Sequence, residues 1–346
     1  MPHPRARPLS RRGLLAAGGA TGLAAFLAAC GDDSGSGSGS GGDAKGGAWS
    51  FKDDRGETAK ADGTPRTIVA FTGTAAALHD YGVECAGVFG PTRTKDGNPD
   101  VQAGDLDVDR VEILGNAWGQ FSVEKYAALA PELIVAPTFD DAGTLWYVPE
   151  ESADKILQLA PSVAVSVYDR PMTEPLERTL QLAGALGADT GSAEIRAARK
   201  RFEDAAERLR QAAKGKKDIR VLVGSGSADL FYVSGTNLSA DLEYFKQLGV
   251  NFVEPPESAK KNSGGWFEEL SWENADKHDA DLIMLDNRTA TLQQDALAAK
   301  PAWARLPAVE AGQVVSRVTE PVYSYDKCAP VLEDLAGALE NARKVS

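Results

Sequence analysis

Histidine and cysteine are scarce in this chain, with three of each in 346 residues. A transition-metal site built on imidazole and thiolate needs several of them converging. Apart from His3 at the extreme start there are only His79 and His278, each late in a predicted helix beside an aspartate. That pattern argues against a histidine-rich metal centre and leaves a tyrosine-built iron site open. Cys30, Cys85 and Cys328 are too few and too widely spaced to signal a disulfide framework. Positive charge is short as well: 37 Lys and Arg stand against 50 Asp and Glu, a net charge of −13. Nucleic acid or an anionic membrane is therefore disfavoured as the main partner. The strongest apolar run, residues 13–29, is too short and glycine-rich for a membrane span, which takes about 20 strongly apolar residues. No Gly-x-Ser-x-Gly elbow, Walker loop or His-Glu-x-x-His motif occurs. Gly224-Ser225-Gly226-Ser227 has the look of a nucleophile loop without its last glycine or a placed histidine, so an enzyme is not expected and a glycine-rich binding loop is.

What is present begins with an address. Arg5, Arg7, Arg11 and Arg12 precede the apolar stretch, which ends in Leu27-Ala28-Ala29-Cys30-Gly31. Basic start, apolar middle and small residues before a cut make an export signal over residues 1–29. Ser10-Arg11-Arg12-Gly13-Leu14-Leu15 resembles a twin-arginine signal, which implies export in the folded state. The run into Cys30 resembles a lipobox, which implies that Cys30 becomes the first mature residue and carries diacylglycerol on its sulfur. Residues 30–48 are mostly Gly, Ser and Asp, a composition that cannot form a core. They read as a flexible tether with a reach of about 20–25 Å, and the localisation expected is the extracytoplasmic face of the cell membrane.

From Trp49 onward, short β-type runs alternate with helical patterns, the mark of an α/β fold with parallel sheets. Strands are predicted at residues 67–71, 85–89, 133–136 and 163–167, with helices at 75–81 and 123–129. The pattern repeats at 220–224, 252–253, 282–285 and 314–318. Between the halves, Ile195, Phe202, Ala206 and Leu209 keep helical spacing over residues 192–214. Such a helix is about 35 Å long and can bridge two lobes. The expectation is two similar Rossmann-like lobes, 49–191 and 215–346, joined by one long backbone helix with a ligand cleft between them. A single helical connection permits only small hinge movements.

A tethered lipoprotein of this form resembles the class III substrate-binding proteins of ABC importers, which capture vitamin B12 and ferric siderophores. The resemblance runs from Trp49 to Ala342. Phe51-Lys52-Asp53-Asp54-Arg55-Gly56 and Pro65-Arg66-Thr67-Ile68-Val69-Ala70 are similar to that family's first hairpin and strand. Two further segments occupy matching places in the lobes: Ser122-Val123-Glu124 ahead of Leu129-Ala130-Pro131-Glu132-Leu133, and Leu270-Ser271-Trp272-Glu273-Asn274 ahead of Ala280-Asp281-Leu282. The resemblance implies that Glu124 and Glu273 dock on arginines of a permease dimer, with charge complementarity setting the register. It implies no cofactor, a transported ligand and a monomeric receptor.

Ligand contacts are expected on loops at the carboxyl ends of the strands. These carry Thr74, Arg93, Trp118 and Phe139 from the first lobe, and Phe231, Tyr232, Trp266, Arg288 and Tyr323 from the second. Trp118 and Trp266 precede the two docking segments by similar distances and match cleft aromatics of the family. A tryptophan offers broad apolar area and one donor, suited to the methylene arms and amides of a siderophore. Tyr323 and Tyr325 alternate, so only one faces the cleft, and Tyr323 is the choice. Arg93 and Arg288 are candidates for hydrogen-bonding the oxygens around iron, which the siderophore itself holds without direct protein ligands. Hydroxamate binders of the family often place an arginine before the first docking segment. Here that stretch is Gly115-Asn116-Ala117-Trp118-Gly119-Gln120, without one.

A catecholate complex of iron is strongly anionic and wants a basic cleft, whereas a ferric tris-hydroxamate is neutral or cationic. An acidic chain with few cleft arginines therefore favours a ferrioxamine-like hydroxamate. Cobalamin, haem or another siderophore are the alternatives, with an exported enzyme or adhesion lipoprotein behind them.

Overall fold

The computed structural model describes residues 47–346. The export signal, Cys30 and nearly all of the tether lie outside the described residues. The first ordered element is a hairpin, β1 (Trp49–Lys52) with β2 (Thr58–Ala61), in which Trp49 and Phe51 point inward and alternate with exposed Ser50 and Lys52.

The first lobe then runs β3 (Ile68–Phe71), α1 (Thr72–Asp80), β4 (Gly87–Phe89), β5 (Glu112–Gly115), α2 (Val123–Ala128), β6 (Leu133–Thr138), α3 (Ala153–Leu159), β7 (Ser162–Ser166) and α4 (Thr173–Ala185). The sheet order is β5-β4-β3-β6-β7 and every pairing is parallel. Strands β3 and β6 are buried along their whole length, as continuous apolar runs in a helix-covered parallel sheet must be. The order reverses between β3 and β6, which opens a crevice at their carboxyl ends.

Helix α5 (Ala193–Gly215) carries the chain into the second lobe, started by Ser192, whose hydroxyl accepts the amide N–H of Ile195. There follow β8 (Val221–Gly226), β9 (Leu230–Ser234), α6 (Ala240–Gln247), β10 (Phe267–Ser271), β11 (Leu282–Asp286), three single-turn helices α7 (Gln294–Leu297), α8 (Pro301–Ala304) and α9 (Pro307–Glu310), β12 (Val314–Arg317) and α10 (Tyr325–Asn341). The sheet order is β10-β9-β8-β11-β12.

The two expected α/β lobes joined by one long helix are present, and the second sheet differs from the first at one edge. Only β8, β11 and β12 are parallel, and β9 and β10 are antiparallel neighbours at one edge. Residues 252–253, read as a strand, make a single bridge from Phe252 to Val221. Residues 231–232, read as loop, lie instead in β9.

One apolar core runs through both lobes along α5 and α10. It joins Ile68 and Leu176 of the first lobe to Phe202 and Leu209 of α5, Val221 and Phe245 of the second lobe, and Leu332 and Leu339 of α10. On the exposed flank of this helix pair, Arg201–Glu333 and Arg208–Glu340 form two forked ion pairs one heptad apart. Both helices advance seven residues between the two pairs, so the spine keeps a constant register.

Candidate functional site: a cleft between the lobes

Where the carboxyl ends of the two sheets face each other lies a cavity of about 520 Å³. The end of β6 supplies Phe139 and Asp140, the end of β8 supplies Ser225, and the ends of β11 and β12 supply Asp286, Arg288, Thr319 and Glu320. Strand β9 adds Tyr232, β10 adds Phe267, and Trp266 and Tyr323 complete the wall.

The aromatic groups touch one another in sequence. Phe139 lies 4.7 Å from Trp146 and 6.3 Å from Trp266, centroid to centroid, and Trp266 lies 6.1 Å from Tyr168. None of these pairs is parallel, so the rings form a corner rather than a flat stack. Trp118 is 63% exposed. It lies outside the cavity lining and packs edge-on against Trp146 at 4.8 Å and Tyr147 at 5.0 Å, extending the aromatic wall to the rim.

The charges are arranged in pairs. Arg317 grips Asp241 through two bonds of 2.9 and 3.0 Å in a buried fork. Arg288 holds Asp286 at 2.7 Å and Glu320 at 2.6 Å. Burial works against the Arg288 charge, yet Glu320 and Asp286 more than offset it and hold the guanidinium above its ordinary pKa. Glu320 also accepts bonds from Gln102 Nε2 (2.9 Å) and Trp146 Nε1 (3.4 Å) of the opposite lobe. Its φ of +62° places this non-glycine residue in the left-handed region. Four carboxylates and two guanidinium groups line the cavity, a surplus of acid. Burial pushes Tyr323 well above its ordinary pKa.

Of the residues chosen from sequence, Phe139, Tyr232, Trp266, Arg288 and Tyr323 come together on the cavity. Thr74 sits on α1 and lines a separate space of about 20 Å³ behind Phe139 and Tyr323. Phe231 does not reach the cleft. It is fully buried against Trp272 at 5.6 Å and Trp303 at 5.9 Å, because strand alternation turns it away from Tyr232. Gly224 makes room for it, since a Cβ there would stand 2.7 Å from the Phe231 ring. Arg93 is also elsewhere: it pairs with Asp109 and donates to the Gly97 carbonyl at 2.8 Å, and it does not line the cavity. Arg288, on the cavity, is paired with two carboxylates.

Sequence reasoning missed Trp146, Tyr147, Asp140, Glu320 and the Asp241–Arg317 pair. Adjacent aromatics in a loop flanked by Gly143 and Pro149 were a usable signal for the first two. Nothing local signals the ion pair, whose members stand 76 residues apart.

Away from the cleft, Glu124 lies exposed in the first turn of α2, capped by Ser122, and Glu273 lies exposed in a 3₁₀ turn over Trp272–Asn274. Cys85 and Cys328 are both free and buried, which answers the pairing left open by their spacing. Burial pushes the Cys85 thiol up to about 12 and raises Cys328 too, so neither is a reactive thiolate. Among the described residues no cluster of metal-ligating side chains occurs, and no helix is long and apolar enough to cross a membrane.

Comparison with known proteins agrees with this architecture. DesE, a ferric-siderophore receptor protein from Streptomyces coelicolor, is 64% identical, with a TM-score of 0.85 over 86% of this chain and 100% of that one. The Fe(3+)-citrate-binding protein YfmC of Bacillus subtilis is 24% identical over 264 residues, 76% of each chain. The siderophore periplasmic binding protein from the fuscachelin gene cluster of Thermobifida fusca shares the fold at 24% identity, with a TM-score of 0.56 over 80% of this chain and 96% of that one. The periplasmic binding protein family model matches residues 72–317. With paired sheets, one bridging helix and a cleft at the strand ends, the chain belongs to the periplasmic binding proteins, as an extracytoplasmic class III substrate receptor of an ABC importer and not an enzyme.

Proposed function

We propose that this protein captures a ferric hydroxamate siderophore, ferrioxamine-like in type, and delivers it to an ABC permease for iron uptake. The observation that carries the reading is the cleft itself, an aromatic corner with more carboxylates than guanidinium groups. Aromatic faces suit the methylene arms of a linear hydroxamate. The acid surplus disfavours anionic chelates such as ferric catecholates or ferric citrate, and suits a complex that is neutral or cationic. The 64% identity to DesE, a ferric-siderophore receptor, supports the class of ligand.

The remaining assignments extend this reading. Export follows the twin-arginine route, and Cys30 becomes the lipidated first residue, tethered to the membrane through residues 31–48. Glu124 and Glu273, one per lobe, dock on arginines of the permease, and the receptor works as a monomer. The tether raises the local concentration of the receptor at its permease. The ligand is identified by titrating tryptophan fluorescence of the mature protein with ferrioxamine, ferric enterobactin, ferric citrate, haem and cobalamin. Saturable quenching by ferrioxamine at one equivalent is expected, and tight binding confined to the other four would overturn the assignment.

A further inference from the structure

Three of the four carboxylates on the cavity are held by a guanidinium, and Asp140 is not. Asp241 belongs to Arg317, and Asp286 and Glu320 belong to Arg288. Asp140 accepts the Thr144 amide N–H on Oδ1 at 2.9 Å and has no cationic partner among the described residues. It follows Phe139 at the carboxyl end of β6 and, like Phe139, Trp146 and Trp266, lines the cavity. The neighbouring rings meet at interplanar angles of 47° and 54°, so a cation in the corner can lie over more than one π face. A cation held within about 6 Å of such faces gains from the ring quadrupoles, most of all where water is displaced. A carboxylate lacking a counter-charge beside aromatic faces is the chemistry that selects an ammonium group.

We propose that Asp140, with Phe139, Trp146 and Trp266, forms an ammonium subsite, so that the receptor prefers a ferric complex carrying a free terminal amine over the same complex with that amine blocked. The inference rests on the siderophore reading and names the charge selectivity of the same cleft. In a linear tris-hydroxamate the three hydroxamate anions balance ferric iron, so a protonated terminal amine makes the complex monocationic. N-acetylation makes it neutral while leaving the iron centre unchanged.

The test titrates wild-type protein and Asp140→Asn with a linear ferric tris-hydroxamate bearing a free amine and with its N-acetylated counterpart. Asparagine keeps the acceptor for the Thr144 amide, and the acetylated ligand reports whether the variant's cleft is intact. Wild type should bind the amine form about tenfold more tightly, equivalent to about 1.4 kcal/mol, and the preference should shrink as ionic strength rises. The variant should bind both forms alike, the loss falling on the amine form. Equal affinity of wild type for the two ligands would overturn the subsite while leaving the siderophore reading standing, as would a preference that survives in Asp140→Asn or a variant that loses both ligands equally. Failure of wild type to bind either ligand would overturn both.

Discussion

At the scale of single residues, the cleft divides into groups that meet the ligand and groups that shape the space. Trp266 is proposed for the first kind, since it lines the cavity and touches both Phe139 and Tyr168. Trp266→Ala should weaken siderophore binding by about 2 kcal/mol, as truncation of a buried aromatic anchor does. Titration of the variant checks this, and unchanged affinity would remove Trp266 from the contact set. Arg93→Ala should leave binding alone in the same titration, because its partners are Asp109 and Gly97. Placement on the cavity was partly legible from sequence: aromatics in turns rich in glycine and polar residues pointed to Trp266, Phe139 and Tyr323. The Phe231-Tyr232 pair shows the limit. Alternation says that one of two strand neighbours faces the core, and only the sheet's packing decides which. Charge pairing was equally hidden, because a loop arginine reads alike whether it waits for a ligand or, like Arg288, already holds two acids.

At the scale of elements, α10 acts as a second strut beside α5. Its first turn is fastened to the opposite lobe: Ser324 Oγ donates to Asp80 Oδ2 at 2.5 Å, and the Tyr325 amide N–H donates to the Tyr81 hydroxyl at 3.1 Å. Ser324 is also the N-cap of α10, accepting the Lys327 amide N–H at 3.2 Å. Ser324→Ala removes both bonds and should lower stability by about 1–2 kcal/mol. The shift should appear in the urea midpoint with unchanged slope, and an unmoved midpoint would contradict the strut. The long helix was legible because its apolar residues, Ile195 to Ala213, keep one period for about five turns. The antiparallel pair β9 and β10 was not, since five-residue strands at a sheet edge carry too little periodicity to separate from loop.

At the scale of the whole molecule, the lobes share one core and further bonds tie them across the cleft, including Thr289 to Asp100 at 3.0 Å and Gln102 to Glu320. Such a body favours small adjustments around a ligand over wide closure. The proposed docking on the permease then uses two carboxylates on a rigid body. Reversing the charge of both Glu124 and Glu273 should abolish siderophore uptake by cells while leaving ligand affinity intact. Uptake that persists, or affinity that falls, would count against docking at these positions. An iron chelate in the cleft is located most directly by the anomalous scattering of iron in crystals of the ferrioxamine complex. One iron peak per chain is predicted within the cavity bounded by Phe139, Trp266 and Tyr323. A peak elsewhere, or none at saturating ligand, would contradict the account.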